Sequence, residues 1–314
     1  MHAIRHHAFG PASVLRLEEL PAPVPAPGQV RVAVEVAGVH LLDTYLRAGH
    51  GPATVAAVEL PAVPGREVAG IVDRVGHGVD ESWLGRRVVT HLGPAGRGGY
   101  AERVLADASR LHDVPPGLDA ATAVAAIGTG RTAAGILDLA GLTADDVVVV
   151  TSAAGGLGTL LLQGARNAGA RAVGLASGPK LHVARRFGAE TTIDYRDPEW
   201  PAVLRAAEPR LTVLLDGVGG EVPRTVHAML AAGGRTVRFS GDREGYDGGT
   251  VLDVLGPALA GRIPELEKAA LEAAADGSRV PYVGSVFPLA EAARAHEALE
   301  SRQSLGKVVL AVGA

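Results

Sequence analysis

The chain has 314 residues, 47% of them hydrophobic and 20% charged, with a net charge of −4 and no cysteine. This length gives room for two domains with a core in each, and the missing cysteines exclude disulfides, thiolate chemistry and Cys-based zinc sites. Interspersed charges of both signs leave no basic stripe for nucleic acid.

No apolar run approaches the ~20 residues of a membrane helix. The first residues, Met1-His2-Ala3-Ile4-Arg5-His6-His7, carry no signal-peptide apolar region, so the expectation is a cytoplasmic protein with no membrane partner. Neighbouring histidines on a strand point to opposite faces, which argues against His6 and His7 as a metal pair.

Residues 1–121 read as a β domain of many short strands. Gln29-Val30-Arg31-Val32-Ala33-Val34-Glu35-Val36 alternates with the period of a half-buried strand. Pro21, Pro23, Pro25 and Pro27 form an extended lead-in to it, because proline fixes φ and donates nothing to a ladder. Further strands are expected at 69–75 and 87–90, with Gly- and Pro-rich turns between them.

Residues 122–262 change texture to alternating strands and helices. Strands are expected at 147–151, 171–175, 191–194, 211–216 and 235–240, with helices between them, for example at 158–168 and 180–187. Such alternation implies an α/β unit: a doubly wound parallel sheet with right-handed crossovers and helices on both faces. Residues 263–314 return to mixed texture, with a helix at 265–275, a strand at 280–287, a helix at 289–299 and a last strand at 306–312. There is no internal repeat or low-complexity linker, so the five-strand region reads as an insertion between two parts of one β-rich domain.

Val147-Val148-Val149-Val150 runs into Thr151-Ser152-Ala153-Ala154-Gly155-Gly156-Leu157-Gly158. An apolar β-branched run is the mark of a strand buried on both faces. The glycines after it let the backbone approach a pyrophosphate, whose charge meets the N–H groups at the start of the next helix. The spacing is G-G-x-G, not the full G-x-G-x-x-G, so the turn alone is weak evidence. The second strand ends at Ala176-Ser177-Gly178-Pro179-Lys180 with no acid in place to bond a 2′-hydroxyl. Ser177 and Lys180 suit a 2′-phosphate instead, and Tyr195 offers another hydroxyl, which points to NADPH.

Several motifs in shared order resemble the zeta-crystallin-type NADPH:quinone oxidoreductases of the medium-chain dehydrogenase/reductase superfamily. Besides the glycine turn and Gln163, they are Pro64-Gly65-Arg66-Glu67-Val68-Ala69-Gly70, Gly98-Gly99-Tyr100-Ala101-Glu102 and Gly130-Arg131-Thr132-Ala133-Ala134, then Asp216-Gly217-Val218-Gly219-Gly220 and Gly306-Lys307-Val308-Val309-Leu310. The resemblance covers nearly the whole chain. It implies a GroES-like catalytic domain (1–121 and 263–314) with an inserted Rossmann domain (122–262). It places Thr132, Gly155, Gly156, Leu157, Ser177, Lys180, Tyr195, Val218 and Ser240 around NADPH, and a small-molecule substrate in the cleft between the domains.

Zinc-dependent relatives polarise a carbonyl or alcohol through a metal bound by Cys, His and Glu. Here His40 stands in the cysteine's place and Arg66 in the histidine's, and a guanidinium cannot ligate a cation. Arg66 and Glu67 read as an ion pair fixing the turn, and no metal is expected. The chemistry then suits an acceptor that is already electrophilic: a quinone or, alternatively, an enone or other activated double bond. A non-catalytic NADPH-binding sensor or structural protein is the alternative of another class. His40, Asp43 and Tyr45 cluster on a segment that borders the nicotinamide in the resembled family, usually with asparagine at the position of His40. His40 would either donate a proton or only hydrogen-bond the carboxamide or a neighbouring carbonyl. Family members usually place a further apolar strand after the position of Ser240, pairing across a dimer interface. In 241–262 no β-branched strand is obvious, so that strand is expected to be helical or missing, or a homodimer pairs by other means.

Overall fold

The computed structural model describes residues 1–51, 57–93, 98–239, 246, 250–253, 259 and 261–313. The first strands, β1 (His2–Arg5) and β2 (Arg16–Glu19), pair antiparallel. They lead through the proline stretch into β3 (Gln29–Val39), where Val30, Val32 and Val34 alternate inward as the sequence period requires. After α1 (Leu41–Ala48) come β4 (Glu67–Val75), β5 (Arg87–His91), β6 (Arg103–Asp107), β7 (Leu111–Asp113) and α2 (Ala120–Ala125).

The inserted segment follows: α3 (Arg131–Ala140), β8 (Val147–Val150), α4 (Gly156–Asn167), β9 (Arg171–Ala176), α5 (Leu181–Arg186), β10 (Thr191–Asp194) and α6 (Trp200–Ala207). It continues with β11 (Leu211–Asp216), α7 (Glu221–His227), β12 (Leu230–Arg238), β13 (Thr250–Asp253) and α8 (Ile263–Ala275). The chain closes with β14 (Val283–Pro288), α9 (Ala292–Glu300) and β15 (Lys307–Ala311).

Two units result, Met1–Gly128 with Val283–Ala314, and Thr129–Tyr282. The first is built on the sheet β14-β15-β3-β4-β5-β7, with β6 also paired to β3. Its ladders are antiparallel except for the parallel pair of β14 and β15. Its core joins Ile4, Val30, Val32, Val68 and Tyr100 to Leu289, Ala292, Val308 and Leu310 from the chain's end.

The second unit carries a parallel sheet in the order β10-β9-β8-β11-β12-β13. The order reverses between β8 and β11, the switch point where such sheets take their ligands. Both faces are covered. Val148 and Val150 pack with Leu160, Leu161 and Ile136, while Val147 and Val149 pack with Trp200, Leu204 and Val226. That double burial is why β8 reads as an unbroken valine run, and each such side chain stabilises the fold by about 1.5–3 kcal/mol.

Three expectations change. The doubted sixth strand is present: Thr250–Asp253 pairs parallel with β12, Val251 opposite Thr236 and Leu252 opposite Val237. The unit boundary falls at 128/129 and 282/283, not at 121/122 and 262/263. The helix α8 belongs to the inserted unit because Leu266 joins the core with Ile136 and Ala140, and Glu267 pairs with Arg131 at 2.5 Å. The helix expected at 180–187 opens as a 3-10 turn, Gly178–Lys180, with Pro179 as its second residue.

The run 120–140 joins α2, a π turn at Ala126–Gly130 and α3. By length and hydropathy alone it could cross a membrane, but 72% of its apolar window is buried in the protein.

Candidate functional site

In the second unit the sequence-picked glycines stand at the carboxyl end of β8. Ser152 adopts φ +51°, a left-handed conformation rare outside glycine, and its carbonyl accepts the N–H of Gly155 at 2.9 Å. Gly155 then caps α4, whose first-turn N–H groups have no intrahelical acceptor. Gly158 must be glycine, because a Cβ there would overlap the Ser152 carbonyl and the Ala153 backbone.

Asp216, at the end of β11 and wholly buried, organises the neighbouring turn. Its carboxylate accepts from the backbone N–H of Val218 (3.0 Å) and Gly219 (3.2 Å) and from Thr151 Oγ1 (3.1 Å). Thr151 Oγ1 in turn accepts the N–H of Gly217 at 2.8 Å, so the ends of β8 and β11 are tied together at the switch point. The Tyr246 hydroxyl also donates to Asp216, and neither residue was given a site role from sequence, where Asp216 entered only as the head of a motif. Val218 thus sits on a turn held by its own backbone, and Thr132 lies in the first turn of α3.

At the end of β9, Ser177 is buried and Lys180 follows on the 3-10 turn. Burial, then the charge of Arg196, pull the Lys180 pKa below the ordinary lysine value. The structure therefore adds Arg196 to the set of Ser177, Lys180 and Tyr195. It also adds an acid: Asp194 ends β10, and a Cβ on Gly178 would lie 2.6 Å from its Oδ2. Asp194 Oδ1 accepts the backbone N–H of Arg196 at 2.9 Å. Two cations against one carboxylate, with Ser177 and Tyr195 as hydroxyl-bearing residues on the same two strand ends, make a donor set that fits a phosphate monoester. Gly155, Gly156 and Leu157 belong to the same unit, while Ser240 lies outside the described residues.

In the first unit, strand register brings three side chains to one point. Val39 lies opposite Val308 in the β3–β15 ladder, so the next step along places His40 across from Lys307. Ala37 lies opposite Val68 in the β3–β4 ladder, so Glu67 falls opposite Gly38. A Cβ at Gly38 or at Gly128 would overlap the Glu67 carboxylate, and the two glycines leave the room it occupies. Glu67 Oε1 lies 2.6 Å from Lys307 Nζ and 2.6 Å from His40 Nε2, and Lys307 Nζ lies 2.9 Å from the same ring nitrogen. The Glu67 side chain is fully shielded, Lys307 nearly so at 5% exposed, and His40 reaches solvent at 27%. Burial alone would raise the Glu67 pKa, but His40 and Lys307 outweigh it and hold the carboxylate well below its ordinary range.

The charge partners of Glu67 are thus Lys307 and His40, not the Arg66 expected from sequence. A zinc ion does not fit this donor set. An ammonium sits on both candidate ligands, and Arg66, itself buried, brings a second cation beside Glu67 in the chain. Among the described residues no three His, Asp or Glu side chains gather as a metal-binding group.

Asp43 and Tyr45 part company. Asp43 is 2% exposed, and its Oδ2 accepts from the His40 backbone N–H (2.9 Å) and from the Tyr100 hydroxyl (3.1 Å). It caps α1 from the N3 position and so fixes where His40 begins. Tyr100 spends its only hydrogen on Asp43, so the contact with His296 Nε2 at 3.1 Å requires the ring nitrogen to donate. Burial pushes the His296 pKa down to about 4, and that of the Tyr100 phenol upward. Tyr45 is 48% exposed and shares none of this network.

Comparison with known proteins places these features in a family. Residues 26–116 match the alcohol dehydrogenase GroES-like domain, and residues 187–310 match the zinc-binding dehydrogenase family. A 2-haloacrylate reductase from a Burkholderia species is 32% identical, covering 99% of this chain and 98% of its own. A quinone oxidoreductase from Pseudomonas aeruginosa is 33% identical, covering 98% of each. Among solved structures, Escherichia coli quinone oxidoreductase complexed with NADPH superposes with a TM-score of 0.86 at 28% identity. That match covers 99% of this chain and 100% of the other.

Proposed function

The chain belongs to the quinone oxidoreductase family of the medium-chain dehydrogenase/reductase superfamily, and from that premise we propose an NADPH-dependent reduction of small electrophilic acceptors, quinones or activated alkenes. NADPH supplies the hydride when bound. The residues of this chain bind, orient and manage the proton.

On the second unit the glycine turn and the start of α4 suit the pyrophosphate. Ser177, Lys180, Tyr195 and Arg196 suit the 2′-phosphate that separates NADPH from NADH. Asp216 holds the Val218 turn at the carboxyl end of the same sheet.

The observation that carries the reading is the lysine ammonium seated on His40 and Glu67. The two side chains best placed to hold a Lewis acid are already committed to a fixed cation. Such a site favours an acceptor that needs no metal to polarise it. His40 favours the alkene within this class, because reducing C=C adds a proton to carbon, which an imidazole delivers and an amide does not.

The test is NADPH oxidation with 1,4-naphthoquinone and with 2-chloroacrylate, each repeated with NADH. Reduction of at least one acceptor with a marked preference for NADPH is expected. Tight NADPH binding with no turnover of either acceptor would overturn the proposal, and equal use of the two nucleotides would remove the role given to Ser177, Lys180 and Arg196.

A further inference from the structure

The meeting of His40, Glu67 and Lys307 is unlike an ordinary buried ion pair. Glu67 and Lys307 alone would satisfy each other's charge. The fold adds a third titratable side chain, and only that one reaches solvent. The ring's Nε2 faces both buried partners, at 2.6 Å and 2.9 Å. Its main chain is pinned separately by Asp43, so ring and backbone are each held from a different element. Two glycines are given up to seat the carboxylate, which marks the arrangement as built rather than incidental.

We propose that Lys307, Glu67 and His40 work as one proton-donating triad, in which His40 protonates the carbon next to the carbonyl of an activated alkene while Glu67 and Lys307 position it. This rests on the reductase reading above and deepens it. Bound NADPH would supply a hydride, with its electron pair, to the β-carbon, and the π pair of the C=C bond would then move onto the α-carbon and carbonyl. That pair then forms a C–H bond with the His40 proton, and the N–H bonding pair stays on the imidazole. The alkene is reduced by two electrons, NADPH is oxidised to NADP+, and water returns the proton to His40.

Glu67 orients the ring through its contact with Nε2, as a carboxylate does for a catalytic histidine. Lys307 keeps Glu67 an anion, so the carboxylate does not take the proton for itself. His40 is then the catalytic residue. Glu67 and Lys307, sealed from solvent, act through it. Exposed Tyr45 is the rival donor on the same segment.

The product of 2-chloroacrylate tests this directly, because the delivered proton creates the stereocentre of 2-chloropropionate. Wild type is expected to give one enantiomer in large excess. His40→Asn and Lys307→Met should erode that excess and lower the acrylate-to-naphthoquinone turnover ratio by about tenfold or more. Lys307→Arg, which keeps the charge, should recover most of the excess if Lys307→Met folds poorly. Proton NMR of the cofactor-free protein supplies a readout independent of turnover. A downfield ring N–H signal should vanish in His40→Asn and shift in Glu67→Gln. An undiminished excess in His40→Asn, or the full loss in Tyr45→Phe instead, overturns the triad. Quinone turnover without acrylate turnover overturns it too but leaves the reductase reading intact, whereas turnover of neither acceptor defeats the reading itself.

Discussion

Lys307 Nζ lies 2.6 Å from Glu67 Oε1 inside the first unit, with both side chains shut away from solvent. The two residues stand 240 positions apart in the chain, on β15 and β4, and β3 runs between those strands in the sheet. Removing either partner leaves an uncompensated charge in a dry place. Glu67→Gln is expected to cost about 3–5 kcal/mol in urea unfolding, and Glu67→Gln with Lys307→Met should recover part of that loss. Because Glu67 titrates lower folded than unfolded, its stabilisation is present above the ordinary carboxylate range and fades as pH falls through the lowered value. A double variant no more stable than Glu67→Gln would disprove the coupling.

A second pH effect comes from His296. Its pKa falls from 6.5 to about 4 on folding, so the unfolded chain binds a proton that the native ring refuses. The contribution of His296 to stability is therefore greatest above pH 6.5 and falls by about 3 kcal/mol as pH approaches 4. His296→Gln should flatten that slope, as followed by thermal unfolding at pH 7 and pH 5.

The Tyr100–Asp43 link makes Asp43 a positioning residue. Asp43→Ala removes a cap and strands the buried Tyr100 hydroxyl, for a loss of about 1–3 kcal/mol in unfolding experiments. Asp43→Asn keeps an acceptor for the cap and should lose less. If Asp43→Ala abolished turnover with unchanged stability, Asp43 would have to touch the acceptor after all.

Cofactor choice should follow the cations near Ser177. Lys180→Ala and Arg196→Ala are each expected to raise the KM for NADPH roughly ten- to hundredfold, the loss of one charge-assisted contact. The KM for NADH should hardly move. Asp194→Asn should act in the opposite direction, since it removes the acid beside Gly178.

Gly158→Ala tests the backbone turn. Its Cβ meets main-chain atoms of Ser152 and Ala153, which cannot rotate aside. Nucleotide affinity, measured by fluorescence titration, should weaken by about tenfold or more. An unchanged affinity would show that the turn has slack.

Local patterns carried most of the architecture. The valine run of β8 and the alternation of β3 announce their burial, because side-chain period and hydrophobicity are properties of a few adjacent residues. The glycine turn after β8 and the end of β9 at Ser177 were legible for the same reason, since both are short segments with fixed spacing, and the nucleotide role proposed for them rests on that spacing. The sixth strand was not. Thr250–Asp253 is four residues long and sits beside no strong periodic signal, so only its pairing with β12 reveals it.

The partners of Glu67 lay beyond reach of spacing altogether. Arg66 is its neighbour in the chain, yet Lys307 and His40 hold it, because the ladders of β3 with β4 and β15 decide which residues face one another. The same holds for the bond of Asp43 to Tyr100, which spacing does not show, and for Asp194, brought beside the end of β9 by the β9–β10 pair. Short-range order gave the chain its strands, helices and glycine turn. Only strand register, which selects contacts among residues hundreds of positions apart, put an ammonium beside a histidine and a carboxylate.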